Sequence, residues 1–295
     1  MAIGIGDGIQ AGPFPGTAVG NPKPTSPIFS SILAIHFSAQ VERTTTGFTL
    51  TPAHQKALAR GERVTLSHGG GNRIVIELVA NFPNFTPNPL PFFPDNVRGS
   101  NPFDLVAVGD QLYVTDGGQN LVRQVDIQTG ASSALATFPS IPNPLFNPQS
   151  PASGGPFVDA VPTGIHYFDG RLLVTLFRGF PFPAGTSVVE QVDPLTGHHA
   201  PFITGLKTAI DVLGTRKDVN DHGDDGNRDD RAYLVLQHVS GPILSGPGLL
   251  QRFTMDGPST LVASGLNRPT SMILDKKTGT LYVTEIVGGR VVAIR

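Results

Sequence analysis

Residues 101–126 read NPFDLVAVGDQLYVTDGGQNLVRQVD. Three short apolar runs, LVAV, LYVT and LVRQV, are separated by Gly109-Asp110 and Gly117-Gly118. Alternating β-branched and aromatic residues punctuated by glycine predict three strands joined by tight turns. The unit recurs. VPTGIHYFDGRLLVTLFR starts at Val161, TAIDVLG starts at Thr208 and resumes as AYLVLQHV at Ala232, and RPTSMILDKKTGTLYVTEIVGGRVVAIR starts at Arg268. A hairpin-rich unit that repeats every few tens of residues cannot bury its faces alone, so neighbours must stack. That pattern predicts an all-β chain forming a single β-propeller.

The blades start at Pro102, Pro162, Ala209 and Pro269. Third strands are VRQVD, VVEQVD, LLQRFT and VVAIR; fourth strands are SALATF, PFITGL and TLVASGL, with IVIELVANF as the corresponding outer strand before Asn101. With one degenerate blade in residues 30–82, five blades are countable, and six are possible if the first hundred residues hide another. The last repeat stops after its third strand. The reading therefore expects the N-terminal region to supply the missing outer strand, so that the two chain ends share a blade and no sheet edge stays exposed.

Composition narrows the function classes. The chain has 295 residues, enough for a large core, and its 35 Gly and 27 Pro fall between the apolar runs as turns would. Charged residues make up 15% and the net charge is −2. No basic stripe is present, so a nucleic-acid partner is not expected. No apolar run reaches the roughly 20 residues of a membrane span. Cysteine is absent, which excludes disulfides, zinc–thiolate sites and cysteine nucleophiles. The start MAIGIGDG has neither a basic region nor a long apolar core; the expectation is a secreted or periplasmic protein whose export signal has been removed.

Residues 1–28 are expected to form an extended arm and 29–295 the propeller domain. Thr51-Pro52 predicts a helix start, with threonine as N-cap and proline at the first helical position, and Gly61 closes it. Two long connections, FPNFTPNPLPFFPDN from Phe82 and FPSIPNPLFNPQSPASGGPF from Phe138, are rich in proline and phenylalanine. They are expected to cover a propeller face or to wall a pocket; Phe92 and Phe93 in the first connection, with Phe180 and Phe182 in the turn GFPFPAG from Gly179, are candidate ligand contacts.

The stretch VPTGIHYFDGRLLVTLFRGFPFPAGTSVVEQVDPLTG, residues 161–197, combines a proline-led inner strand, an LLVT strand, a GFPFPAG turn and a VxxVDPxTG hairpin. In that order these motifs resemble the ScyD/ScyE family, exported bacterial propellers related to NHL-type repeats and named for the scytonemin gene cluster. Residues 101–130 are a second match, and the resemblance covers about residues 101–295. It implies the fold and an exported location, but no defined activity. Where family members carry an acid after the second strand of the GFPFP blade, this chain has Leu176.

Two constellations could carry chemistry. DVNDHGDDGNRDDR, residues 218–231, places Asp218, Asn220 and His222 at positions one, three and five of a calcium-loop pattern. Gly223 falls at the turn, Asp224 at seven and Asp229 at twelve. A bound calcium and a solvated acidic loop both fit this pattern; no nucleotide or organic cofactor is expected. The second constellation is the channel mouth, with Asp104, Asp116, His166, Asp211, His238, Ser271 and Glu285 near inner- and second-strand ends. His238, Glu285 and Asp211 are the candidate catalytic set, and Asp104, Thr163 and Ser271 the candidate ligand contacts. His238 and Glu285 are read as occupying equivalent places in different blades. Asp116 is expected to be tied to turn amides and His166 to be packed. The sequence thus supports a propeller binding a small or polymeric ligand. A metal-assisted, lactonase-like hydrolase or lyase and a structural interaction module are the alternatives.

Overall fold

The structure is a computed structural model that describes residues 2–3, 8–14, 16–43, 47–68, 71–216, 231–255 and 257–295. The chain opens with β1 (Ala2–Ile3) and the small hairpin β2 (Ile9–Ala11) and β3 (Ala18–Gly20). Next come β4 (Ser31–Phe37), helices α1 (Ala39–Glu42) and α2 (Pro52–Ala59), β5 (Val64–His68) and β6 (Asn72–Asn81). The first sheet has the order β1-β4-β6-β5. A ribbon of β7 (Phe85–Pro87) and β8 (Val97–Gly99) leads into the repeats.

The second sheet is β9 (Pro102–Val108), β10 (Gln111–Asp116), β11 (Leu121–Asp126) and β12 (Ser132–Thr137). After the short ribbon β13 (Ile141–Pro142) and β14 (Phe157–Val158) comes the third: β15 (Pro162–Phe168), β16 (Arg171–Leu176), β17 (Ser187–Val192) and β18 (His199–Leu206). The fourth is β19 (Ala209–Arg216), β20 (Arg231–Gln237), β21 (Gly248–Thr254) and β22 (Gly257–Leu266). The fifth has three strands, β23 (Pro269–Asp275), β24 (Thr280–Glu285) and β25 (Arg290–Ile294). The inner strands β1, β9, β15, β19 and β23 touch in succession, so the sheets radiate as blades from a central channel.

Strand alternation builds this stack. Along β16, Leu172, Val174 and Leu176 pack toward the second sheet with Tyr113 and Val122, while Leu173 packs toward the fourth with Val212 and Val235. Both faces are therefore buried, each leucine contributing about 1.5–3 kcal/mol. Similar clusters join sheets one to two through Ile32, Phe82 and Val114, and four to five through Leu236, Leu250 and Val283.

The helix expected at Thr51 is present. The Thr51 hydroxyl accepts from the His54 amide at 3.3 Å, and His54 Nδ1 accepts from the Thr51 amide at 3.2 Å, forming a capping box. Two expectations need correction. IVIELVANF lies in β6 between β4 and β5, not at the outer edge of its sheet. And among the described residues the chain ends do not share a blade: β25 pairs with β24 alone, whereas β1 is an edge strand of the first sheet, paired with β4. The face of the first sheet turned away from the second is covered by the helices, through Val41, Leu58, Leu66 and Ile76. The fifth sheet leaves Ile273, Tyr282 and Val291 exposed on one face.

Candidate functional site

Each repeat places one residue at the third position of its inner strand: Asp104, Gly164, Asp211 and Ser271. These form one rung of the channel. Asp104 accepts from the Leu105 amide at 2.8 Å and, across the blade boundary, from the Ile165 amide of β15 at 3.0 Å. Asp211 repeats the device, accepting from Val212 at 2.7 Å and from Met272 of β23 at 2.7 Å. A Cβ on Gly164 would lie 2.6 Å from Asp211 Oδ1, so glycine there makes room for the carboxyl group.

This rung opens into a cavity of about 810 Å³ within the channel. Its lining includes Asp104, Asp211, Ser271 and His166, apolar Leu213 and Met272, and, toward the far ends of the inner strands, Phe168, Arg216 and Lys276. Burial pushes Asp104 above the usual carboxylate range. Burial and then the Asp104 charge push Asp211 up to about 8. At neutral pH Asp211 thus holds a proton and can donate it. Burial, reinforced by the Lys276 charge, lowers His166 below its ordinary value and favours the neutral ring, which stacks on Phe168 at 6.5 Å.

The other sequence candidates lie elsewhere. Glu285 is buried at the end of β24, accepting from the Asn267 amide at 2.6 Å and from Arg290 Nε at 2.5 Å; these bonds hold it below its ordinary value. Asp116 is its counterpart, fully buried, accepting from the Asn101 and Gln119 amides and from Arg123 at 3.0 Å. Register settles the equivalence: Pro102 faces Asp116, Pro162 faces Leu176, Ala209 faces Gln237 and Pro269 faces Glu285. Gln237, not His238, is therefore the counterpart of Glu285, and it accepts from the Lys207 amide at 2.7 Å. His238, one residue on, bonds the Pro269 carbonyl at 2.9 Å, and its ring meets Phe177 edge-on. A slip of one residue turns a strand side chain to the opposite face. His238, Glu285 and Asp211 do not converge.

Thr163 is buried, bonded to Thr175 at 2.8 Å. Phe92 and Phe93 pack edge-on against Phe14 at 5.9 and 5.8 Å, and Phe180 and Phe182 against each other at 5.9 Å; none of the four lines the channel cavity. Asp218, Asn220, His222, Asp224 and Asp229 lie outside the described residues. Among the described residues no group of three or more acids or histidines is placed to hold a metal ion, and no helix is long and apolar enough to cross a membrane. Sequence reasoning missed Phe168, Arg216 and Lys276. Lys276 sits in the turn DKKTG, which reads as an ordinary hairpin tip.

No family model matches the chain, and no curated protein matches it. Solved structures do. It is similar to a chain of the nidogen/laminin complex (12% identity, TM-score 0.44), covering 78% of this chain and 66% of that one. It is similar to streptogramin B lyase (12% identity, TM-score 0.41), covering 89% and 72%. A protein from Lactobacillus plantarum aligns at 14% identity and a TM-score of 0.38, covering 79% and 63%.

Proposed function

We propose that the chain is an exported propeller that binds a small organic molecule in its central channel. The observation that carries this reading is the Asp104–Asp211 rung at the wall of an 810 Å³ cavity. A protonated Asp211, an ionisable Asp104 and the Ser271 hydroxyl offer donors and acceptors at one level. Apolar side chains and Phe168 flank them. A mostly apolar cavity with a few converging polar groups is the common form of a ligand site. Membership of the ScyD/ScyE group belongs to the same proposal, supported by the motif order in residues 161–197.

A second reading is favoured by one feature. A carboxyl group near pH 8 is suited to give or take a proton at neutral pH, so Asp211 would serve as a general acid or base in a hydrolase or lyase.

The test is native mass spectrometry of the purified chain against a library of small amines, amino acids and hydroxy acids. Wild type is expected to retain a ligand that Ser271→Trp, which fills the channel, does not. Equal retention by both, or none by wild type, overturns the proposal. Turnover of the retained compound, lost in Asp211→Asn, would favour the catalytic reading.

A further inference from the structure

We propose a second binding site, apart from the channel, that takes a neutral polyhydroxylated ligand of monosaccharide size. A cavity of about 350 Å³ lies where the N-terminal hairpin, the first proline-rich loop and the second blade meet. Its polar lining includes Asn84, Asn88, Asn96, Asn101, Arg98 and Asp159.

Three of these are uncommitted. The side-chain amides of Asn84, Asn88 and Asn101 make no hydrogen bond within the described protein, although Asn84 and Asn101 are half-buried. The fourth asparagine there, Asn96, is fully used: its Oδ1 accepts from the Ala18 amide at 2.9 Å and its Nδ2 donates to the Asn88 carbonyl at 2.8 Å. That contrast separates a structural amide from three that face the cavity unpaired. Neither the Asn84 nor the Asn101 amide is sealed from solvent, so water serves them until a ligand hydroxyl displaces it. Each presents two donors and an acceptor in one plane, the complement of a hydroxyl that both gives and takes a hydrogen bond.

Charge selects against ions. Arg98 closes on Asp159 Oδ1 at 2.5 Å, so the cavity is electrically balanced. Burial raises Asp159, but the Arg98 hydrogen bond and charge outweigh it and keep the group ionised. Oδ1 also accepts from Ser140 at 2.8 Å and from Asn120 at 3.2 Å, which leaves Oδ2 for a further donor such as an O–H. An apolar ligand is disfavoured because only Ile9 and Val97 supply apolar side chains.

The remaining wall is backbone. A Cβ on Gly118 would lie 2.2 Å from the Gly99 carbonyl oxygen, so glycine at this turn lets two backbone segments meet and expose their peptide edges to the cavity. The volume is at the low end for small-molecule sites and suits a single sugar ring.

The probes are D-glucose, D-galactose, D-mannose and L-arabinose, titrated separately and followed by saturation-transfer NMR, with inorganic phosphate as an anionic control. At least one sugar is expected to saturate the full chain at millimolar concentration. The Asn84→Ala/Asn101→Ala double variant is expected to bind it about 10-fold more weakly, about 1.4 kcal/mol. Ser271→Trp is expected to bind it as wild type does. Asn88→Ala, an exposed position, gives an independent loss should the double variant not fold. The proposal is overturned if no sugar saturates, if phosphate binds more tightly than every sugar, if the asparagine variants bind unchanged, or if Ser271→Trp abolishes binding.

Discussion

Asp116 and Asp211 are the same residue type, both buried, two sheets apart, yet their surroundings differ in kind. Asp116 ends a second strand, where two amides and the Arg123 guanidinium surround it, with that guanidinium 4.8 Å from the Phe82 ring centroid. Asp211 sits in the channel rung, faces another acid, and has no cation bonded to it. The first is a compensated charge that ties a turn to its strand. The second is a destabilised charge kept as a proton beside empty volume. Compensation, not burial, separates the structural acid from the candidate functional one.

The comparison breaks most directly at Asp116. Asp116→Ala strands the Arg123 charge and is expected to cost about 3–5 kcal/mol in urea unfolding. A smaller loss would mean that the corner does not hold the blade. Gly164→Ala tests the rung: its methyl would meet Asp211, with a cost of about 1–3 kcal/mol and a weakened response of Asp211 to pH.

The pH dependence sharpens the contrast further. An unfolded aspartate releases its proton near 3.9, whereas folded Asp211 keeps it up to about 8. Between those values the folded chain binds the extra proton. The contribution is therefore fully present below about pH 4 and falls away as pH rises to about 8, at up to about 1.4 kcal/mol per unit. Denaturant midpoints at pH 5, 6 and 7 should show this slope in wild type and lose it in Asp211→Asn. A flat wild-type profile would contradict the raised value. The smallest effect is expected at Glu285→Gln, less than about 1 kcal/mol, because its partner Arg290 is largely exposed.

Much of the architecture could be read from residues 101–126 and their repeats, because a strand buried on both faces advertises itself as an unbroken apolar run. The Thr51 cap was legible for a similar reason: its signal is local. Register was not. His238 follows YLVLQ much as Glu285 follows LYVT, which suggests equivalence, but its neighbour Gln237 holds the equivalent place, and only pairing with Ala209 shows it. Blade closure is not legible because α1 and α2 take the face of the first sheet that a neighbouring blade would need, and a short helix does not state which sheet it will cover. Asp116 stands apart in the sequence as a strand-end acid tied to turn amides, but the Arg123 cation that compensates it arrives from the next strand and is not announced by the sequence.

The bare flank of the fifth sheet has a practical outcome. Ile273, Tyr282 and Val291 present an oily strip beside β25, whose outer backbone groups have no strand partner among the described residues. Such a border is a template for self-association in concentrated solution. Val291→Lys is expected to keep the protein monodisperse by light scattering at concentrations where wild type begins to cluster.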